Sequence, residues 1–350
     1  MRTSRPARGS RRIVRAPNHL GDVIAALPAI VADGSDVLVV AWLAPIVAMA
    51  GAAGEVIPFE RGASGFVRAA RELRQRAYGE GVLLTPAFSA AWLFRCGAVS
   101  RLRGTATDGR SLLLTERIPP DTLRPFHRIN AYKLLLGQDF TEEPRAHRLE
   151  PTAEAVDRWR SRIGSRDAAL IGIVPGSNAP ARRWPTDRFA AVASTLAARG
   201  FGLVVMGSEP EAALTARVAS AAPGALDAGG RTDVTDLAAL LSLCDLVITN
   251  DTGSMHLAGA VGTATVSLWG SSDPWEVRQV GAPDTRVTGA ALPCKPCRRN
   301  DCARRGTGTV LAEAHEECMR LIEVQSVLDA VDSALAGGVD DVPGGNRARG

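Results

Sequence analysis

Lysine is nearly absent from this chain: Lys133 and Lys295 are the only two in 350 residues, although Lys and Arg together number 41. With the abundance of Ala and Gly, that bias reads as the mark of a GC-rich genome rather than of function. Net charge is only +4, too mild a field to argue for a nucleic-acid partner. No apolar run reaches the length that spans a bilayer, because Gly, Pro or charge interrupts each one. The basic start "MRTSRPARGSRR" leads into a strand-like segment without a small-residue cleavage site, so no secretory signal is read there and a cytoplasmic location is expected. GxGxxG, GxxxxGK[ST] and GxSxG are all missing, which removes the common dinucleotide, P-loop and hydrolase readings. There is also no Asp-x-Asp pair to hold a divalent metal on a diphosphate.

What is present is globular. Hydrophobic residues make up 46% and charged residues 22%, and the length suits two domains. Near-continuous apolar runs occur at 13–14, 36–42 and 81–85, then again at 169–174, 202–207, 245–250 and 265–270. Between them lie helical patterns such as 186–200, with a Thr or Asp cap after Trp-Pro, and 232–244. Apolar strands alternating with helices imply parallel sheets covered on both faces. The pattern occurs twice, around the polar segment 141–155. It predicts an α/β chain of two Rossmann-like domains, residues 11–155 and 165–335, with loose tails at 1–10 and 337–350. Ligands of such sheets bind at the strand C-terminal ends.

Four stretches concentrate polar chemistry. In "VITNDTGSMHLAGAVG" a strand ends at Asn250, and Asp251, Thr252 and Gly253 open a small-residue helix with His256 one turn on. Free N–H groups and the helix dipole make such a start a seat for a diphosphate. The plain alternative is an ordinary cap at Asp251 and a packed His256. "VPGSNAPARRWP" offers Ser177 and Asn178 for phosphate or ribose and Arg182 for a leaving diphosphate, while Arg183 reads as a solvated neighbour of Trp184. Glu211, in "VVMGSEPEAAL", is placed either for ribose hydroxyls or as a first-turn acid. In "RIVRAPNHLGDVI", Asp22 stands where a nucleotide fold would place a glycine loop, with Asn18 and His19 just before it.

These stretches resemble the heptosyltransferase-like family of bacterial glycosyltransferases, glycosyltransferase family 9, the ADP-heptose:lipopolysaccharide heptosyltransferases. The resemblance rests on "APNHLGDVIAALPAI", "VPGSNAPARRWPTDRFAAVA", "VVMGSEPE" and "NDTGSMHLAGAVGTATVSLWGSSDP", and runs from about residue 12 to 330. It implies a GT-B fold with the acceptor on the N-terminal domain and the nucleotide sugar on the C-terminal one. It further implies an inverting, metal-independent transfer. The general base falls on Asp22, and the donor motif on Asp251, Thr252, Gly253 and His256. The ribose-binding glutamate falls on Glu211, and the phosphate-binding lysine on Arg182, where a planar fork replaces a point charge. The implied donor is ADP-heptose or a related nucleotide sugar. The implied acceptor is a lipopolysaccharide core, lipid-linked saccharide, other glycan or glycoside. An anionic lipid-linked acceptor would suit the basic helical stretch 66–80 and Arg61, with peripheral contact at the cytoplasmic face of the inner membrane. A sugar-nucleotide epimerase or hydrolase of similar fold, or a non-catalytic nucleotide-sugar binder, are the competing readings.

No cofactor is required by that chemistry. The cluster Cys294, Cys297, Cys302 and Cys318 suits a structural zinc or iron–sulfur site through its CxxC pair, or else a loop of reduced thiols. Cys96 and Cys244 read as small buried hydrophobes.

Overall fold

The computed structural model describes residues 11–107, 109–302 and 317–337. The chain divides into two compact units, Met1–His147 and Arg148–Gly350. Each unit carries one six-stranded sheet, and every strand pairing in both sheets is parallel.

The first sheet contains β1 (Arg12–Arg15), β2 (Asp36–Val40), β3 (Val56–Phe59), β4 (Glu80–Leu83), β5 (Arg101–Thr105) and β6 (Glu116–Ile118), in the order β3-β2-β1-β4-β5-β6. Its centre is apolar on both faces: Ile13, Leu38, Leu83 and Leu102 are buried on one with Leu73 and Phe94 from covering helices, and Val14, Val37 and Val82 are buried on the other. Burial of each such side chain contributes roughly 1.5–3 kcal/mol.

The second sheet contains β7 (Leu170–Val174), β8 (Gly202–Val205), β9 (Leu226–Asp227), β10 (Leu246–Asn250), β11 (Ala264–Trp269) and β12 (Asp284–Thr288), in the order β12-β11-β10-β7-β8-β9. All five residues of β7 and all five of β10 are buried. Trp184 packs edge-on against Phe189, ring centroids 5.0 Å apart, and its indole N–H donates to the Ile322 carbonyl at 3.0 Å.

Helix ends show where sequence signals mislead. The helix Thr186–Ala198 is capped by Pro185, not by Thr186 or Asp187; the fixed φ of proline presets the entry, and Asp187 lies in the first turn. The helix Val234–Leu243 does have the polar cap its sequence suggests, Asp233 accepting from the Asp236 N–H at 2.7 Å. No helix among the described residues is long and apolar enough to cross a membrane.

Candidate functional site

In the first unit the turn after β1 carries Asn18, His19 and Asp22. Helix Leu20–Asp33 starts there because His19 adopts an extended conformation and its carbonyl accepts from the Val23 N–H at 2.9 Å. Asp22 falls in the first turn, where the helix dipole favours a carboxylate. Its side chain keeps 33% of its surface accessible. His19 is exposed and makes no side-chain cap bond, so it does not hold the carboxylate. Two residues that sequence reasoning missed do: the Tyr132 hydroxyl donates to Asp22 Oδ1 at 3.1 Å, and Arg128 Nη1 lies 3.4 Å from the same oxygen. "RINAY" places an Arg and a Tyr four apart on one helical face, but nothing local to that stretch points to Asp22.

Beneath this turn Arg15 is buried. It donates to the carbonyls of Ala16 and Leu38 and to Asn18 Oδ1 at 2.5 Å, and its guanidinium lies 4.5 Å from the centre of the Phe59 ring. Asn18 is therefore tied to the strand end. Burial, and then the charge of Arg61, push the Arg15 pKa down. Arg61 itself is exposed.

In the second unit the strand order sets β10 beside β7 and β7 beside β8. The three polar exits read from sequence therefore lie side by side at the C-terminal edge. After β10, Thr252 caps helix Gly253–Val261 in an extended conformation with no side-chain cap bond, so its hydroxyl does not close the first turn. His256 lies in that first turn, half-buried. Asp251 is 3% exposed, and its Oδ2 lies 3.2 Å from Arg182 Nη1. The contact is an ion pair without hydrogen-bond alignment, since Asp251 Oδ2 and Arg182 Nε both lack a hydrogen-bond partner. Ser177 is buried and its Oγ accepts from the Ala179 N–H at 3.3 Å, while Asn178 is exposed. Arg183 is not a merely solvated neighbour: its Nε donates to the Ser177 carbonyl at 2.6 Å and braces the loop.

Glu211 follows β8 in a capping box, its Oε2 accepting from the Ser208 N–H at 2.9 Å and the Ser208 hydroxyl at 2.6 Å. Its other oxygen packs against Gly176, where an added Cβ would lie 2.0 Å from Oε1. Asn250 is a third residue the sequence did not single out. Fully buried, it donates to the carbonyls of Pro175 (2.8 Å) and Gly176 (3.3 Å) and accepts from the Trp184 N–H (3.0 Å), stapling the β7 exit to the end of β10. The hydroxyls of Ser271 and Ser272, just past β11, are buried without partners.

Cys294, Cys297, Cys302 and Cys318 line one pocket with Lys295 and Ala181, and none of the four is in a disulfide among the described residues. Among the described residues no three His, Cys, Asp or Glu side chains are arranged to hold a metal ion. Burial raises the Cys318 pKa, which keeps that thiol protonated. The loop reaches the segment that carries Arg182, for the Asn300 carbonyl accepts from the Ala181 N–H at 2.9 Å and Asn300 Oδ1 lies 3.4 Å from Arg182 Nη2. Cys244 is buried as expected; Cys96 is only half-buried, at the end of its helix.

Two all-parallel units with polar loops at the strand C-terminal ends define the GT-B class, and solved structures of that class match. The structure of E. coli ADP-heptose LPS heptosyltransferase II superposes with a TM-score of 0.76 at 20% identity, over 93% of this chain and 99% of that one. A family 9 glycosyl transferase from Veillonella parvula gives 0.77 at 22% identity, over 96% and 100%. The model of glycosyltransferase family 9 (heptosyltransferase) matches residues 66–307, and the chain belongs to that family. It is 30% identical over 129 residues to lipooligosaccharide heptosyltransferase 2 of Haemophilus influenzae, a stretch covering 35% of this chain and 37% of the relative. The matched stretch thus spans about a third of the length of the first curated relatives.

Proposed function

We propose that the chain is an inverting, metal-independent glycosyltransferase that moves a heptose from ADP-heptose to a lipopolysaccharide-core or other glycan acceptor. The observation that carries the reading is Asp22: a partly accessible carboxylate at a strand C-terminal end, held through one oxygen. Family membership supplies the sugar. The first unit, Met1–His147, holds the acceptor; the second, Arg148–Gly350, holds the donor.

Asp22 takes the proton of the acceptor hydroxyl as that oxygen attacks the anomeric carbon. The bond from that carbon to the phosphate oxygen breaks, and its electron pair leaves with ADP. Charge growing on the diphosphate is met by the Arg182 guanidinium and by the first-turn N–H groups of helix Gly253–Val261, with the Thr252 hydroxyl as a further donor. Arg182 pairs with Asp251, which holds the guanidinium beside that helix start. Glu211 Oε1 accepts from a ribose hydroxyl, its partner oxygen being locked by Ser208. Ser177, Asn178 and His256 border the same donor, while Asn18, His19 and Arg61 border the acceptor.

The test is the configuration of the product. Incubation with ADP-heptose and core oligosaccharide should give a glycoside whose anomeric configuration, read by NMR, is inverted relative to the donor. A retained configuration, or conversion of the donor without an acceptor, contradicts the reading.

The exposed Arg68, Arg71 and Arg74 support a peripheral contact with the anionic cytoplasmic face of the inner membrane. Sedimentation with phosphatidylglycerol vesicles, lost in Arg68→Glu/Arg71→Glu, checks it; equal sedimentation refutes it. A structural zinc or iron–sulfur site at the four cysteines would require them to rearrange, because among the described residues no three are set around a metal ion; elemental analysis of the purified protein decides it.

A further inference from the structure

We propose that Tyr132 is the positioning residue of the base: its hydroxyl holds Asp22 Oδ1, so that Oδ2 is the oxygen left to receive the acceptor's proton. The inference rests on the base role assigned to Asp22 above.

A carboxylate at a helix start turns freely about its last torsion, whose wells are broad. Transfer needs one oxygen aimed at the acceptor hydroxyl, and misplacement of a reacting atom is costly. Both contacts on Asp22 fall on Oδ1, from Tyr132 at 3.1 Å and from Arg128 at 3.4 Å. They come from one face of one helix, Arg128–Leu135, at a spacing of four residues. Tyr132 is 5% exposed, so its ring is fixed by packing while the carboxylate it holds remains accessible. Burial, followed by the charge of Asp22, raises the phenol pKa well above its ordinary value, which keeps the hydroxyl a donor.

The helix itself is clamped more firmly than packing alone requires. His127 Nδ1 accepts from the Ile129 N–H at its start, and Asn130 Nδ2 donates to the carbonyls of Thr141 (2.9 Å) and Glu142 (3.3 Å). At its C-terminal end Arg103 donates to the carbonyls of Leu135 (2.7 Å) and Leu134 (3.0 Å), and Arg12 to that of Leu136 (3.1 Å). Gln138 Nε2 then donates to the Ala29 carbonyl (2.8 Å), on the helix that carries Asp22. Helix ends commonly leave such carbonyls to water. Here they tie the Tyr132 helix to β1, β5 and the base helix, which fixes the donor and the acceptor of the 3.1 Å bond to the same framework.

The experiment compares the wild type, Tyr132→Phe, Asp22→Asn and the double variant. Tyr132→Phe should lower kcat for transfer from ADP-heptose about tenfold, the worth of one hydrogen bond, with KM for the donor and Tm nearly unchanged. In the Asp22→Asn background the same substitution should cost nothing further. An unchanged kcat, or losses that simply multiply, overturns the proposal. A second readout needs no turnover. Tyr78 and Tyr132 are the only tyrosines, so ¹³Cζ labelling gives two resonances. The one missing from Tyr132→Phe should shift when Asp22 becomes Asn; a resonance indifferent to that change also overturns the proposal. Absence of any transfer by the wild type would instead count against the glycosyltransferase reading, and the resonance would still decide whether Tyr132 holds Asp22.

Discussion

Glu211 shows how much a single position can depend on its neighbour. Its carboxylate reaches its place only because residue 176 has no side chain, since a Cβ there would overlap Oε1. Gly176→Ala and Glu211→Ala should therefore both weaken ADP binding about tenfold by calorimetry, the loss of roughly one good hydrogen bond. Unaltered binding in either would remove Glu211 from the donor site. Candidate site residues stand out in the sequence where chemistry and position in a strand exit coincide, as at Asp22, Arg182, Glu211 and Asp251. Tyr132 and Arg128 do not, because 110 and 106 residues separate them from Asp22 and sequence gives no pairing over that distance. Asn250 was hidden differently: its work lies in bonds to three backbone groups, which leave no mark on the partner residues' identities.

The central strands were readable and the outer ones were not. β3, β6, β9 and β12 are all edge strands, and β5 is next to an edge. Central strands are covered on both faces and read as apolar runs. Outer strands carry charge: β6 reads "ERI", β12 reads "DTRVT" and β5, one in from the edge, reads "RLRGT", with Arg103 turned to the carbonyls of the Tyr132 helix. Asp36 at the start of β2 ties this sheet's beginnings together. It accepts from the Tyr78 hydroxyl (2.6 Å), the Glu55 N–H (3.0 Å) and Arg11. Burial alone would raise its pKa, but those bonds and the Arg11 charge outweigh it and leave the pKa below the ordinary value. A carboxylate with a lowered folded pKa stabilises above its unfolded value of about 3.9. That contribution is lost as pH falls through the lower folded value. Asp36→Asn should thus lower Tm at pH 7, and the difference from wild type should fade toward pH 3. A constant difference across that range would show that the tie is not ionic.

At the scale of the molecule, two parallel-sheet units follow from a pattern repeated on either side of one polar segment, and the family resemblance rests on loops at the ends of the central strands. Those loops were readable together because β10, β7 and β8 are neighbours. The proposed division of labour gives one unit a held carboxylate and the other an arginine paired with Asp251 beside a helix start that has no side-chain cap bond. Asp22→Asn tests that division most directly, because it keeps size and position while removing the base. Calorimetry with ADP-heptose should give the wild-type affinity, and transfer to core oligosaccharide should fall by at least about 10²-fold. Wild-type transfer by Asp22→Asn, or loss of donor binding together with transfer, would contradict the account.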